Sequence, residues 1–276
     1  METRQYFIHD LSHQIRWSED HTLSWYGLFL SLTVVGGVAL WAWQLRRGKK
    51  LSWHVLWLLP VGVLVFFYSI RLADCVFYNF RYCLEHPLKT LDIFRGGYAS
   101  HGAVPGMALF LILVARVLGT SVLDAFDRFT FSAALGATLV RLGNFFNSEN
   151  VGRVTEVPWG VQFMRYDAGF TVRHPSQLYE AALGLFLLVL LLVADRLAGK
   201  EKRPEGLLFG LFLTVYFALR FLVEFTKEYQ TLDPRTSPLN MGQLLSILPF
   251  VLGALVLFFV YRRERKSKKR EPLTGA

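Results

Sequence analysis

The sequence predicts an all-α polytopic membrane protein with about seven transmembrane helices, its N-terminus outside, its C-terminus cytoplasmic, and ordered extracytoplasmic segments. Three observations predict it. Apolar residues make up 53% of the 276 positions and charged residues only 18%, where ordinary globular domains carry about a quarter charged residues. Seven apolar runs approach the ~20 residues that a helix needs to span hydrocarbon. The basic residues gather in three hydrophilic gaps that fall on one side if the helices alternate.

The runs cover roughly 24–44, 53–72, 103–119, 129–146, 177–195, 206–225 and 240–261, the third and fourth being short and glycine-rich. Arg46, Arg47, Lys49 and Lys50 follow the first run, Arg196, Lys200, Lys202 and Arg203 the fifth, and the block Arg262 to Arg270 the seventh. A cytoplasmic excess of Lys and Arg sets orientation, so this side is expected to be cytoplasmic. The gap at 120–128, with Arg128, carries no orientation signal. The division is therefore an extracytoplasmic segment 1–23, one membrane domain 24–261 and a basic cytoplasmic tail 262–276. The outer connections 73–102 and 147–176 are long for a helix bundle and rich in Pro, Gly and aromatics, so they are expected to be ordered, with short interfacial helices.

Other classes are disfavoured. The net charge of +9 lies in membrane-flanking gaps rather than along a nucleic-acid face, which excludes a nucleic-acid partner. Residues 1–22 lack the basic start and short apolar core of a signal peptide. Cys75 and Cys83 show no metal-ligand spacing. Two free thiols are expected there, with a disulfide as the alternative. No metal and no cofactor is expected, since no ligand cluster, nucleotide loop or serine elbow is present.

Ionisable residues inside spanning runs are costly and mark functional sites by default. Tyr26 opens the first run, His101 precedes the third, and Arg141 and Asn144 end the fourth. Tyr216, Arg220 and Glu224 are spaced by four in the sixth, so they share one helix face. Four elements thus bring polar groups to similar depth near the outer leaflet. Each residue has a plainer reading: a snorkelling arginine, an aromatic-belt tyrosine, a solvated histidine, a glutamate neutralising the arginine one turn away. His54 lies far from the cluster. Two guanidinium forks suit a phosphate, and at that depth the abundant phosphate is a lipid head group. A neutral histidine can take a proton, and Asn144 and Asn147 can bond a polar head group. The residues alone fit either binding a phospholipid or transferring part of one.

The segment Arg141-Leu-Gly-Asn144-Phe-Phe-Asn147-Ser-Glu149-Asn-Val-Gly152-Arg153 resembles the signature of bacterial prolipoprotein diacylglyceryl transferases. Five further segments agree in order: Trp25-Tyr26-Gly27; Gly96-Gly97-Tyr-Ala-Ser-His101-Gly102; His174-Pro175-Ser176-Gln177-Leu178-Tyr179-Glu180; Tyr216 through Arg220-Phe221 to Glu224; and Met241-Gly242-Gln243-Leu244-Leu245-Ser246. The resemblance implies a multi-pass enzyme of the bacterial inner (plasma) membrane. It implies transfer of the diacylglyceryl group of phosphatidylglycerol to the lipobox cysteine of a lipoprotein precursor, with glycerol phosphate leaving. By matching positions, it implies that Arg141 and Arg220 hold the phosphate and that His101 is a candidate base. Tyr26, Asn144, Asn147, Glu149 and Gly152 shape the head-group site, and Tyr216 and Glu224 orient Arg220.

The chain departs from that pattern in four places. His101-Gly102-Ala103 stands for His-Gly-Gly, and Asn147-Ser148-Glu149 for Asn-Gly-Glu. Asp74-Cys75 stands for Gly-Tyr, and Phe225-Thr-Lys227-Glu-Tyr-Gln lacks the common Arg-x-Pro-Asp. The last two put substrate details in doubt. Two alternatives stay open, a catalytically idle lipid-binding relative and a transporter of an anionic solute.

Overall fold

The computed structural model describes residues 5–16, 18, 21–87, 102–228 and 237–270. Nine α-helices lie among them in the order α1 (Trp25–Arg47), α2 (Trp53–Phe77), α3 (Phe80–Glu85), α4 (Ala103–Leu118), α5 (Val122–Phe146), α6 (Met164–Asp167), α7 (Ser176–Leu197), α8 (Leu207–Val223) and α9 (Met241–Arg270). Five of them (α1, α2, α7, α8 with the turn after it, and α9) are long and apolar enough to cross a membrane, and α4 is a shorter apolar helix. The chain is thus a mostly helical, polytopic membrane protein. α5 is long enough, but it carries Asp124, Asp127, Arg128 and Arg141.

The helices follow the expected runs with two differences. α5 begins at Val122 rather than near 129, because its first-turn charges are paired within the fold instead of ending the helix. Arg128 therefore belongs to a helix and not to a connection. α9 continues to Arg270, past the expected boundary at 261, since the Arg, Lys and Glu of the basic block are good helix formers.

The chain divides into two compact units, residues 1–43 with 129–276, and residues 44–128. In the second unit α2 packs on α4. Gly102 and Gly106 admit Ser69 and Ala73 so closely that a Cβ at either glycine would overlap them, the small-residue contact that lets membrane helices approach. Arg128 Nη1 donates to the Gln44 carbonyl at 2.8 Å, and its Nε donates to Asp124, which also accepts from Lys50 Nζ at 2.7 Å. A cation thus satisfies a carbonyl exposed at the end of α1.

Cys75 and Cys83 are joined in a disulfide, where two free thiols were expected. Beside it, buried Asp74 accepts from Asn79 Nδ2 at 3.0 Å and meets Arg71 Nη1 at 3.4 Å. The Asp74-Cys75 departure therefore carries its own charge partner and its own covalent partner.

In the first unit Phe131, Ala134, Leu187, Leu191 and Leu208 form the core between α5, α7 and α8. α9 lies along α8, where Gly253 meets Leu213 and Thr214. α1 lies along α5: Ser132 Oγ donates to the Gly37 carbonyl at 2.7 Å. Farther along the same pair, Gly143 admits Tyr26 and Phe29, and Trp25 stacks on Phe146 at 4.7 Å.

The extramembrane residues of this unit are not all helical, which corrects the all-α expectation. β1 (Phe7–His9) pairs in parallel with β4 (Val161–Phe163), β4 pairs antiparallel with β5 (Val172–Arg173), and β2 (Gln14–Arg16) with β3 (Thr22–Ser24) makes a separate hairpin. Strands of two or three residues are too short to show alternation in a sequence. Arg173 ties this small sheet together. Its Nε donates to Asp167 at 2.7 Å, its Nη1 donates to Glu228 at 2.5 Å and to the Gly152 carbonyl at 3.2 Å, and its guanidinium lies over the Tyr166 ring. Burial pushes the Asp167 carboxyl up, but the Thr171 hydroxyl and the Arg173 guanidinium outweigh it and hold it below the usual carboxylate range.

Candidate active site

The start of α1, the end of α5, the start of α7, the end of α8 and the start of α9 meet at one end of the first unit. The polar residues foreseen on those helices converge there around a carboxylate to which the sequence had given no role. Glu180 stands in the second turn of α7, where the positive helix N-terminus favours an anion. Arg220 Nη1 donates to Glu180 Oε1 at 2.9 Å. Arg141 Nε lies 3.2 Å from Oε2, and Lys227 Nζ lies 2.9 Å from the same oxygen. Glu224, one turn after Arg220, meets Arg220 Nη2 at 3.3 Å and accepts from Lys227 Nζ at 3.2 Å.

Three cations thus face two carboxylates, leaving one net positive charge. Exposure decides which groups a ligand meets. The Glu180 side chain is 3% exposed, against 19% for Arg141 and 21% for Arg220. The carboxylate lies behind and holds the forks, while both arginine side chains stay partly exposed. Removing one member of such a buried set leaves an uncompensated charge, so the forks are held in place before any ligand arrives. Tyr216 lies one turn before Arg220 and interacts with its guanidinium. Gly242, at the start of α9, makes room for Glu224: a Cβ there would overlap its carboxylate.

A second carboxylate group is built from the turn after α5. Asn144 Nδ2 and Asn147 Nδ2 donate to the two oxygens of Glu149, each at 3.2 Å. The Glu149 carbonyl accepts from Gln177 Nε2 at 2.7 Å, and the Asn150 carbonyl from Ser176 Oγ at 2.9 Å. The first residues of α7 therefore fasten this turn from below. Ser148 and Asn150 adopt left-handed backbone, with φ of 56° and 53°, a conformation that costs a non-glycine residue about 1–2 kcal/mol. Tyr26 packs against Gly143 of α5, one residue before Asn144.

Gly152 joins this turn to the lysine that completes the cluster. It pairs with Lys227 in an antiparallel bridge, its N–H donates to the His174 carbonyl at 2.9 Å, and the Arg153 N–H donates to the Thr226 carbonyl at 2.9 Å. A side chain at 152 would collide with both carbonyls. Its place in the site is a close backbone approach.

The structure thus brings together Tyr26, Arg141, Asn144, Asn147, Glu149, Gly152, Tyr216, Arg220 and Glu224. His101 lies outside the described residues. Sequence reasoning assigned no role to Glu180, which stands in a quoted motif, or to Lys227, which stands in the segment that departs from the pattern. The signal for Glu180 was present, since a carboxylate in the first turns of a spanning run is itself costly. Lys227 opens the run that departs from Arg-x-Pro-Asp, and it keeps a cation at that place. No group of three or more metal-ligating side chains occurs among the described residues.

A cluster of three cations and two carboxylates at one end of an apolar helix bundle marks a polytopic membrane protein with a charged site. The family model for prolipoprotein diacylglyceryl transferase matches residues 14–260. A phosphatidylglycerol–prolipoprotein diacylglyceryl transferase of Geobacter sulfurreducens is 40% identical over 248 residues, covering 87% of this chain and 92% of that one. Proteins of the same description from Chloroherpeton thalassium (36% identical over 269 residues, 97% and 99% covered) and Tolumonas auensis (41% over 196 residues, 71% and 74%) are also similar. The chain belongs to the prolipoprotein diacylglyceryl transferase family, and it is a transferase.

Proposed function

We propose that this transferase moves the diacylglyceryl group of phosphatidylglycerol onto the lipobox cysteine thiol of a lipoprotein precursor. The sulfur of the thiolate attacks the glycerol carbon that bears the phosphate ester. A carbon–sulfur bond forms as the carbon–oxygen bond breaks. The bonding pair leaves with the phosphate, giving glycerol phosphate, and the thiol proton passes to a base. His101 is the candidate base by resemblance.

The observation that carries this reading is the Glu180 node. Arg141 and Arg220 come from different helices, share one buried carboxylate, and stay partly exposed. Both can bond the phosphodiester of one lipid and stabilise the charge that grows on the leaving oxygen. The net positive charge of the cluster also favours a nearby thiol as its thiolate. Tyr26, Asn144, Asn147 and Glu149 line the adjacent polar wall, where the hydroxyls of a glycerol head group find partners. The basic gaps support an orientation with this end of the bundle outside, in a bacterial inner membrane crossed about seven times. The disulfide supports the same orientation, since disulfides persist in oxidising compartments.

The test is a transfer assay. Purified protein, phosphatidylglycerol and a lipobox peptide should yield a peptide heavier by one diacylglyceryl group. Phosphatidylcholine as sole donor should yield none, and equal rates with the two lipids would overturn the donor assignment.

A further inference from the structure

We propose that His9 is a positioning residue for the transfer reaction, acting through Ser148 on the turn that carries Glu149. The inference rests on the transferase reading above. His9 ends β1, where it stands opposite Phe163 of β4, and it is fully buried. Its ring meets Phe145 edge-on at 4.6 Å and Phe163 at 5.4 Å. In that aromatic box Nδ1 shares a hydrogen bond with Ser148 Oγ at 3.2 Å, while Nε2 has no partner among the described residues. Ser148 is thus the ring's polar anchor, 139 residues away in the chain. Burial, with Arg165 nearby, holds the imidazole below its usual pKa against the opposite pull of a hydrogen bond to its own backbone and of Asp10, so the neutral ring is favoured.

What His9 anchors is the strained step of the turn. Ser148 is buried in left-handed backbone, a conformation that glycine adopts freely and serine does not. Its neighbours on either side, Asn147 and Glu149, belong to the polar wall. The turn's backbone bonds, Ser148 N–H to the Phe145 carbonyl at 3.0 Å and Glu149 N–H to the Asn144 carbonyl at 2.9 Å, favour that step, and the His9 bond from a separate strand adds the side-chain restraint that a strained serine needs. Without it, Ser148 can relax out of the left-handed region. The direction of the Glu149 carboxylate, and of the two asparagines bonded to it, then changes. The dependence is specific. It should vanish when residue 148 no longer resists the conformation.

Four proteins test this: the wild type, His9→Phe, Ser148→Gly and the double variant. His9→Phe should lower kcat about tenfold or more, as a small misplacement near the reacting groups does, and should raise the KM for phosphatidylglycerol, whose head group the displaced side chains contact. His9→Gln, which can still bond Ser148, should retain more turnover than His9→Phe. Ser148→Gly alone should remain active, and adding His9→Phe to it should change kcat by less than about threefold. Wild-type turnover in His9→Phe, or an equal loss with and without Ser148→Gly, would overturn the proposal. Absence of transfer by the wild type would instead refute the transferase reading. The coupling is then read from thermal midpoints of the same four proteins in detergent. A smaller drop for His9→Phe in the Ser148→Gly background supports it, and additive drops overturn it.

Discussion

Lys227 Nζ lies 2.9 Å from Glu180 Oε2, the oxygen that Arg141 Nε also meets. The pair joins the segment after α8 to the start of α7, and with them a third cation enters the cluster. The charge arithmetic of the site depends on it.

Arg141 and Arg220 are expected to lose turnover on the order of 10²–10³ when either is replaced by Ala, the loss typical of one oxyanion donor. Arg141→Lys and Arg220→Lys keep the charge but not the fork, and should recover little. Turnover per folded protein recovered in detergent is the measurement. Near wild-type activity for both Lys variants would remove them from the phosphate site.

Glu180→Gln leaves three cations around a neutral side chain. Breaking a buried ion pair costs about 3–5 kcal/mol, and partial exposure of the cations places this case toward the lower end, a drop of several degrees in thermal midpoint. Adding Lys227→Met should recover part of that stability by restoring charge balance. A midpoint for Glu180→Gln equal to the wild type would show that the node is not a structural unit.

The cluster of Arg141, Arg220 and Lys227 around Glu180 and Glu224 carries one net positive charge, and should bind a phosphate dianion more tightly than a monoanion. Glycerol phosphate, a monoester, has a second pKa near ~6, and inorganic phosphate titrates somewhat higher, so both shift from monoanion toward dianion between pH 5.5 and pH 8. Both should inhibit competitively against phosphatidylglycerol, and more strongly at pH 8 than at pH 5.5. Inhibition constants at the two pH values, at fixed ionic strength, decide it.

Asp167 gives a pH signature outside the membrane. Its pKa in the folded protein is depressed, so its contribution to stability is present above the ordinary carboxylate pKa of about 4. That contribution is lost as pH falls through the lower folded value. The gap in thermal midpoint between wild type and Asp167→Asn should be constant from pH 8 to about 5 and close in more acidic buffer. A gap that widens on acidification would contradict the Arg173 pairing.

Orientation can be read by labelling. With Cys75 and Cys83 replaced, Ala168→Cys should react with an impermeant thiol reagent in intact cells, and Lys268→Cys should not. In the wild type neither native cysteine should alkylate until a reductant is added. Labelling at 268 from outside would reverse the topology.

Much of the fold was legible because the bilayer imposes a length and a composition that a sequence shows directly. α7 and α8 begin and end within two residues of the expected runs. α5 was misjudged at its start, since Asp124 and Arg128 look like a connection until their partners Lys50 and Gln44 are seen. The strands were invisible because β1 and β4 stand far apart in the chain and each is three residues long. In the site, Arg220 and Glu224 could be paired by helical spacing alone. Glu180 could not be joined to Arg141 and Arg220, because no spacing rule links residues on three different helices. Ser148 stood out in the sequence only as a departure from glycine. Its backbone conformation explains why glycine suits that place.

The order of synthesis gives the Glu180 node a further consequence. α5 leaves the ribosome first with Arg141, then α7 with Glu180, then α8 with Arg220 and Glu224 already paired one turn apart. Each of these charges that enters the bilayer after Arg141, at about 2.5–3.5 kcal/mol if alone near the centre of a helix, can thus find an opposite charge on a segment made just before or on its own. Lys227 arrives after all of them and closes the set. A nascent chain that stops before it would hold α1 to α8 but neither α9 nor the finished site.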